Sequence, residues 1–184
     1  MNVVNARSIC SIIVAAALGL PAASLLVIYS GFYNVAATSE HWTITKAVMQ
    51  ITMERSVVFH ARNFKAPSYP LSKADGFSGY NEMCAGCHGA PGVDPGEVGK
   101  GLNPRPPDLA VAAKKLKPSE IYWVVENGIR MTGMPAFGPT HSEKELWSVT
   151  AFVKGLPELS ASEYRGLKQS LNGSHHHIRG DMKH

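Results

Sequence analysis

The sequence predicts an all-α fold: a small helical shell preceded by an N-terminal transmembrane helix and a second, amphipathic one. Three observations carry that prediction. Residues 9–29 are apolar and uncharged over about twenty positions, enough for a helix to cross roughly 30 Å of hydrocarbon. Ser72-x-x-Asp75, Pro118 and Ser142-x-x-Glu145 are helix-start signals, and the last two segments are closed by Gly128 and by Gly155 with Pro157. Cys84-Ala85-Gly86-Cys87-His88 spaces two thiols three positions apart, on one side of a helical turn.

Length and charge bound the function. A chain of 184 residues supports one compact domain with extensions. The formal charge is +4, but residues 66–160 hold nine Lys/Arg against ten Asp/Glu, while residues 1–65 hold five against two and residues 161–184 four against two. The central domain is not basic, and no cationic groove with interleaved aromatics is visible, so nucleic-acid binding is set aside. Of the three cysteines two belong to the motif, which leaves no pair for a structural disulfide. Compartment must therefore be read from the N-terminus.

Arg7 precedes the apolar run. By the positive-inside tendency residues 1–8 stay cytoplasmic, residues 9–30 form the anchor, and everything after Ser30 is delivered across the membrane. The alternative is a cleaved signal peptide, with Val35-Ala36-Ala37 as a small-residue site, but the run exceeds the usual h-region of about 7 to 15 residues. Pro21 does not exclude a membrane helix, and Cys10 reads as a small buried residue.

Residues 31–71 are expected to hold an amphipathic helix and a linker. Over 42–64 the apolar positions form two sets, one with Ile44, Val48, Ile51 and Val58, the other with Trp42, Met49, Met53, Val57, His60 and Phe64. Four full charges, Lys46, Glu54, Arg55 and Arg62, argue against a second span. Three readings stand: core packing, the membrane interface, or a face covered by a partner subunit. His60 is read as structural. Pro67 and Pro70 make the following stretch an extended connector.

The domain proper is expected over 72–157. Its first helix starts at Ser72 and runs to about Cys84, with Gly76 and Tyr80 on one face so that another helix can cross closely. C-x-x-C-H then reads as a site where two thiols bond covalently to a haem and the adjacent imidazole ligates its iron. Half of a zinc site would want a second Cys/His pair, and Cys10 does not supply one; a dithiol redox pair leaves His88 unexplained. The haem reading makes Cys84 and Cys87 attachment points and His88 a metal ligand.

Residues 89–110 are rich in Gly and Pro, which excludes a regular element and predicts a loop wrapping the haem. The rigid 104–107 stretch is placed to offer a carbonyl to the second ring N–H of His88. Arg105 is a candidate for a haem propionate, against the plainer reading of a solvated arginine. In the helix from Pro118, Tyr122 and Trp123 either reach a propionate or pack. In the loop over 128–135, Met134 is preferred over Met131 as second axial ligand: Pro135 biases it to an extended backbone and Gly133 allows a close approach to the porphyrin face. The helix capped by Ser142 carries Trp147 and Phe152 toward the one carrying Gly76 and Tyr80. Residues 158–184 read as a polar tail in which His175, His176, His177 and His184 either bind a metal or belong to a solvated or tag-derived segment.

These residues resemble class I c-type cytochromes. The likeness rests on Gly76 and Tyr80 ahead of Cys84, Cys87 and His88, the proline-containing loop, Gly133-Met134-Pro135, and a terminal helix with Trp147 and Phe152. An anchor followed by a Trp-bearing helix and a His-rich end is also similar to membrane-bound monohaem cytochromes of proteobacteria. The resemblance implies a cytochrome c fold around one haem c, one-electron transfer, and a haem domain in the periplasm, held by a single pass in the bacterial inner membrane. With His88 and Met134 both on the iron there is no open position, so an electron carrier rather than an enzyme is expected. Partners are then redox proteins and the membrane, with Lys114, Lys115 and Lys117 either a docking rim or a solvated cluster. Rival readings are a fixed haem subunit of a larger membrane dehydrogenase or terminal oxidase, a haem sensor, and a metal-handling protein.

Overall fold

The computed structural model describes the backbone of residues 6–180 and the side chains of residues 8–171. Every regular element among the described residues is helical. The chain separates into two units, residues 1–39 and 40–184.

The first unit is helix α1, Ala6–Ser30, with Pro21 inside it. From Ser8 onward its side chains are exposed, and Ser8–Ser30 is long and apolar enough to span a membrane. Beyond it, Ser39 N–H donates to the Ala36 carbonyl at 3.0 Å, a single turn.

The second unit begins with α2, Thr43–Ala61. The domain follows: α3 (Lys73–Gly79), a π turn (Tyr80–Cys84), α4 (Ala85–His88), α5 (Glu97–Gly101), α6 (Leu109–Lys115), α7 (Pro118–Asn127), α8 (Glu143–Gly155), a 3₁₀ turn (Leu156–Glu158) and α9 (Ala161–Gly180). The caps are those the sequence signals: Asp75 N–H donates to Ser72 Oγ at 3.1 Å, Pro118 opens α7, and Ser142 with Glu145 forms a reciprocal box. The Ser142 bonds hold the Glu145 carboxyl below the ordinary carboxylate range, so that cap is anionic at neutral pH.

The shell closes where α3 crosses α8. A Cβ on Gly76 would collide with the Ser148 carbonyl oxygen and lie 3.2 Å from Phe152 Cβ, so the two backbones touch where only glycine fits. One turn on, the Tyr80 ring packs against Phe152 at 5.2 Å, and Phe77 meets Phe152 at 5.5 Å. From the other side Tyr122 stacks on Trp147 at 4.2 Å, which joins α7 to α8. Helix α2 reaches this shell through its C-terminal half: Val57 and Ala61 are buried, His60 stacks on Trp123 at 5.6 Å, and Phe64 tilts onto Tyr122 at 5.3 Å.

Two expectations are corrected. The 89–110 segment is not wholly irregular, since α5 lies within it and α6 starts at Leu109. Asp108 accepts from Ala110 N–H at 2.8 Å and caps α6, while α5 seats Gly99 directly against the Cys87 backbone. Nor does the chain leave the domain as a solvated tail after Glu158. Ser160 and Glu163 form a second capping box, and the helix they start seats Tyr164, 1% exposed, against Phe77 and Tyr80. The helical backbone continues through His175, His176 and His177, whose side chains lie outside the described residues, as does His184 altogether.

Two substitutions read this packing. Gly76→Ala forces a methyl onto a carbonyl that belongs to the backbone and cannot yield; denaturant unfolding at fixed haem loading should show a loss of about 1–3 kcal/mol. Tyr164→Ala should cost about 3–5 kcal/mol, as for a buried aromatic, whereas a residue in a solvated tail changes stability by no more than about 0.5 kcal/mol.

Candidate haem site

The motif sits on a wide turn continued by a short one. Ala85 N–H donates to the Tyr80 carbonyl, an i to i+5 bond, and this π turn carries Cys84 onto the buried face of the shell. Cys87 and His88 follow on α4, both half-buried, and neither cysteine is in a disulfide. Burial, and after it the neighbouring Cys87, pushes the Cys84 thiol up to about 12, so it is protonated at neutral pH.

His88 is oriented from outside its own helix. Its Nδ1 lies 2.8 Å from the Pro107 carbonyl oxygen, which can only accept, so Nδ1 carries the proton and Nε2 presents a lone pair. Burial lowers the imidazole's proton affinity below its ordinary value, more than the Pro107 bond raises it. The ring is therefore neutral, as a metal ligand must be.

The turn is clamped on both sides. Tyr80 OH donates to the Gly89 carbonyl at 2.6 Å, fixing the residue after His88. Gly96 N–H donates to the Gly86 carbonyl at 2.9 Å, and Gly99 packs so closely that a Cβ there would lie 2.8 Å from Cys87 Cα. Residues 96–99 thus hold the back of the motif. The sequence hid this, because one more glycine in a glycine-rich loop carries no signal of what it touches.

The Met134 loop is built by backbone bonds. Gly128 ends α7 at φ 66°, and the loop folds back on it: Ile129 N–H donates to the Met134 carbonyl at 3.2 Å, Phe137 N–H to Val125 at 3.1 Å, and Gly138 N–H to Glu126 at 2.9 Å. Inside it Thr132 Oγ1 donates to the Ile129 carbonyl at 2.7 Å and accepts from Met134 N–H at 3.1 Å. The space beside Gly133 is filled by Leu102, whose side chain a Cβ would meet at 2.6 Å. Leu102 directly follows α5, so contacts run from Cys87 through Gly99 and Leu102 to the Met134 loop. Met134 is half-buried; Met131 is 82% exposed at φ 62°.

Arg105 is exposed, two positions before the Pro107 carbonyl that holds His88. Trp123 is engaged toward α2 by its stack on His60. The family model described as Cytochrome C oxidase, cbb3-type, subunit III matches residues 72–153.

Residues 72–153 are a class I c-type cytochrome domain. The match covers a little under half of the chain; no curated protein and no solved structure matches it significantly. A c-type cytochrome domain implies covalently bound haem c, and the residues fit that group. Two unpaired cysteines share one turn, a neutral imidazole offers Nε2, and a thioether stands on a braced loop. The domain serves haem-based electron transfer, as a carrier or as an oxidase subunit.

Tyr80→Phe tests the clamp. It leaves the buried Gly89 carbonyl without its donor and should lower unfolding free energy by about 1–3 kcal/mol, with haem still attached.

Proposed function

We propose that this chain is a membrane-anchored, periplasm-facing monohaem cytochrome c that relays single electrons, with His88 and Met134 as axial ligands and Cys84 and Cys87 as attachment points. The observation that carries the reading is the pair of preset ligands: His88 with its proton held on Nδ1 by Pro107, and Met134 on a loop tied to α7 at both ends. Bound haem c supplies a one-electron change at iron, at a potential raised by imidazole and thioether ligation. The residues' share is to hold both ligands in place and to keep His88 neutral. Arg105 is proposed to meet a propionate from the same 103–107 segment; for Trp123 the stack on His60 favours packing.

The anchor reading is supported by the apolar span Ser8–Ser30 and by Arg7 ahead of that span. A second reading, a fixed subunit of a membrane oxidoreductase, is favoured by the description of the matching family. Gentle solubilisation followed by sizing of the haem-bearing species separates them: a carrier runs alone.

Optical and electron paramagnetic resonance spectra of the purified protein test the ligand set. Met134→Ala should convert low-spin iron to high-spin and admit carbon monoxide on reduction, while Met131→Ala should leave both unchanged. The reverse pattern would transfer the role to Met131.

A further inference from the structure

Helix α2 has two apolar faces, and only one is covered. The covered face, through Val57, Ala61 and the His60 stack, lies on α7. Opposite runs a stripe at spacings of four and three: Ile44 (68% exposed), Val48 (52%), Ile51 (59%), Arg55, Val58 (52%) and Arg62. Every residue of the first two turns is exposed or half-buried, so α2 extends beyond the shell it packs on.

We infer that this stripe lies in the headgroup region of an anionic phospholipid membrane. Four observations choose lipid as the occupant. The inference rests on the anchor reading of α1, for only residues 31–42 separate α1 from α2, and a tether that short keeps a membrane surface at high effective concentration. Phe32 and Trp42, both exposed, lie in or end that connector, and aromatic rings of this kind favour the membrane–water boundary. Arg55 and Arg62 stand in the C-terminal half of the stripe, and neither is paired with a carboxylate; among the described residues the one ion pair is Lys46 with Glu40, at 3.3 Å. Arg62 instead lies 3.9 Å over the Phe59 ring. Guanidinium groups within and at the end of an apolar stripe suit lipid phosphates, their long side chains reaching the headgroups while the aliphatic residues enter the acyl boundary. Finally, self-pairing is opposed: two copies held by α1 in one membrane would align in parallel, setting Arg55 against Arg55 and Arg62 against Arg62.

Spin-label accessibility in the full-length holoprotein tests this. In a Cys10→Ser background, nitroxides are placed singly at Val48→Cys on the stripe, at Glu54→Cys off it, and at Leu18→Cys in α1. The protein is reconstituted into phosphatidylcholine vesicles with and without phosphatidylglycerol. With phosphatidylglycerol, the Val48 label should gain collisions with oxygen and lose them with a water-soluble nickel chelate, and the Glu54 label should keep its nickel collisions. Arg55→Gln with Arg62→Gln should shift the Val48 label back toward nickel access. A Val48 label open to nickel overturns the inference, and one shielded from both reagents does so in favour of a protein partner or a second copy. The Leu18 label reports the anchor separately: if it lies in lipid while Val48 does not, the inference fails alone, and if Leu18 itself is in water the anchor reading fails too.

Discussion

The close crossing of α3 and α8 at Gly76 is the contact on which the rest depends. With the Ser148 carbonyl where a β-carbon would be, the helices approach as far as their backbones permit. That separation sets where Tyr80 stands one turn later, wedged between Phe152 and Tyr164 with its hydroxyl on the Gly89 carbonyl. Burial raises the phenol's proton affinity, so it remains a donor at any ordinary pH. The C-x-x-C-H turn is thus fixed at one end by a helix crossing and at the other by a hydrogen bond that the crossing makes possible.

The loops around His88 and Met134 are held differently, by backbone bonds rather than by burial of large side chains. Pro107 orients His88, Gly96 and Gly99 back the cysteine turn, and Val125, Glu126 and Thr132 define the Met134 loop. Such bonds fix position with little side-chain volume. They also set the protonation a ligand needs, because an accepting carbonyl at Nδ1 leaves Nε2 unprotonated.

Helix α2 joins the domain to whatever lies beyond it. Of its two apolar sets, one reaches the shell through Val57, His60 and Phe64, and the other, with Ile44, Val48, Ile51 and Val58, stays exposed among the described residues. A protein tethered beside a membrane has a reason to keep such a face, since an apolar boundary is always within reach.

Much of the site was legible because its chemistry is local. Cys84, Cys87 and His88 are a spacing, Ser142 with Glu145 is a spacing, and a Gly76/Tyr80 face is one turn of helix; each follows from 3.6 residues per turn and from which groups cap, bond or pack. Even the 104–107 carbonyl could be anticipated, because a ligating imidazole needs an acceptor and prolines hold one still. What the tertiary structure alone decided are contacts between segments distant in sequence. Gly99 against Cys87, Leu102 against Gly133, and Tyr164 filling the space beside Phe77 and Tyr80 have no local signature. A glycine that touches backbone looks like a glycine in a turn, and a helix as polar as α9 shows that Tyr164 is buried only when a core is there to receive it. Short-range geometry was fixed by residue order, and the long-range contacts waited on the path of the chain.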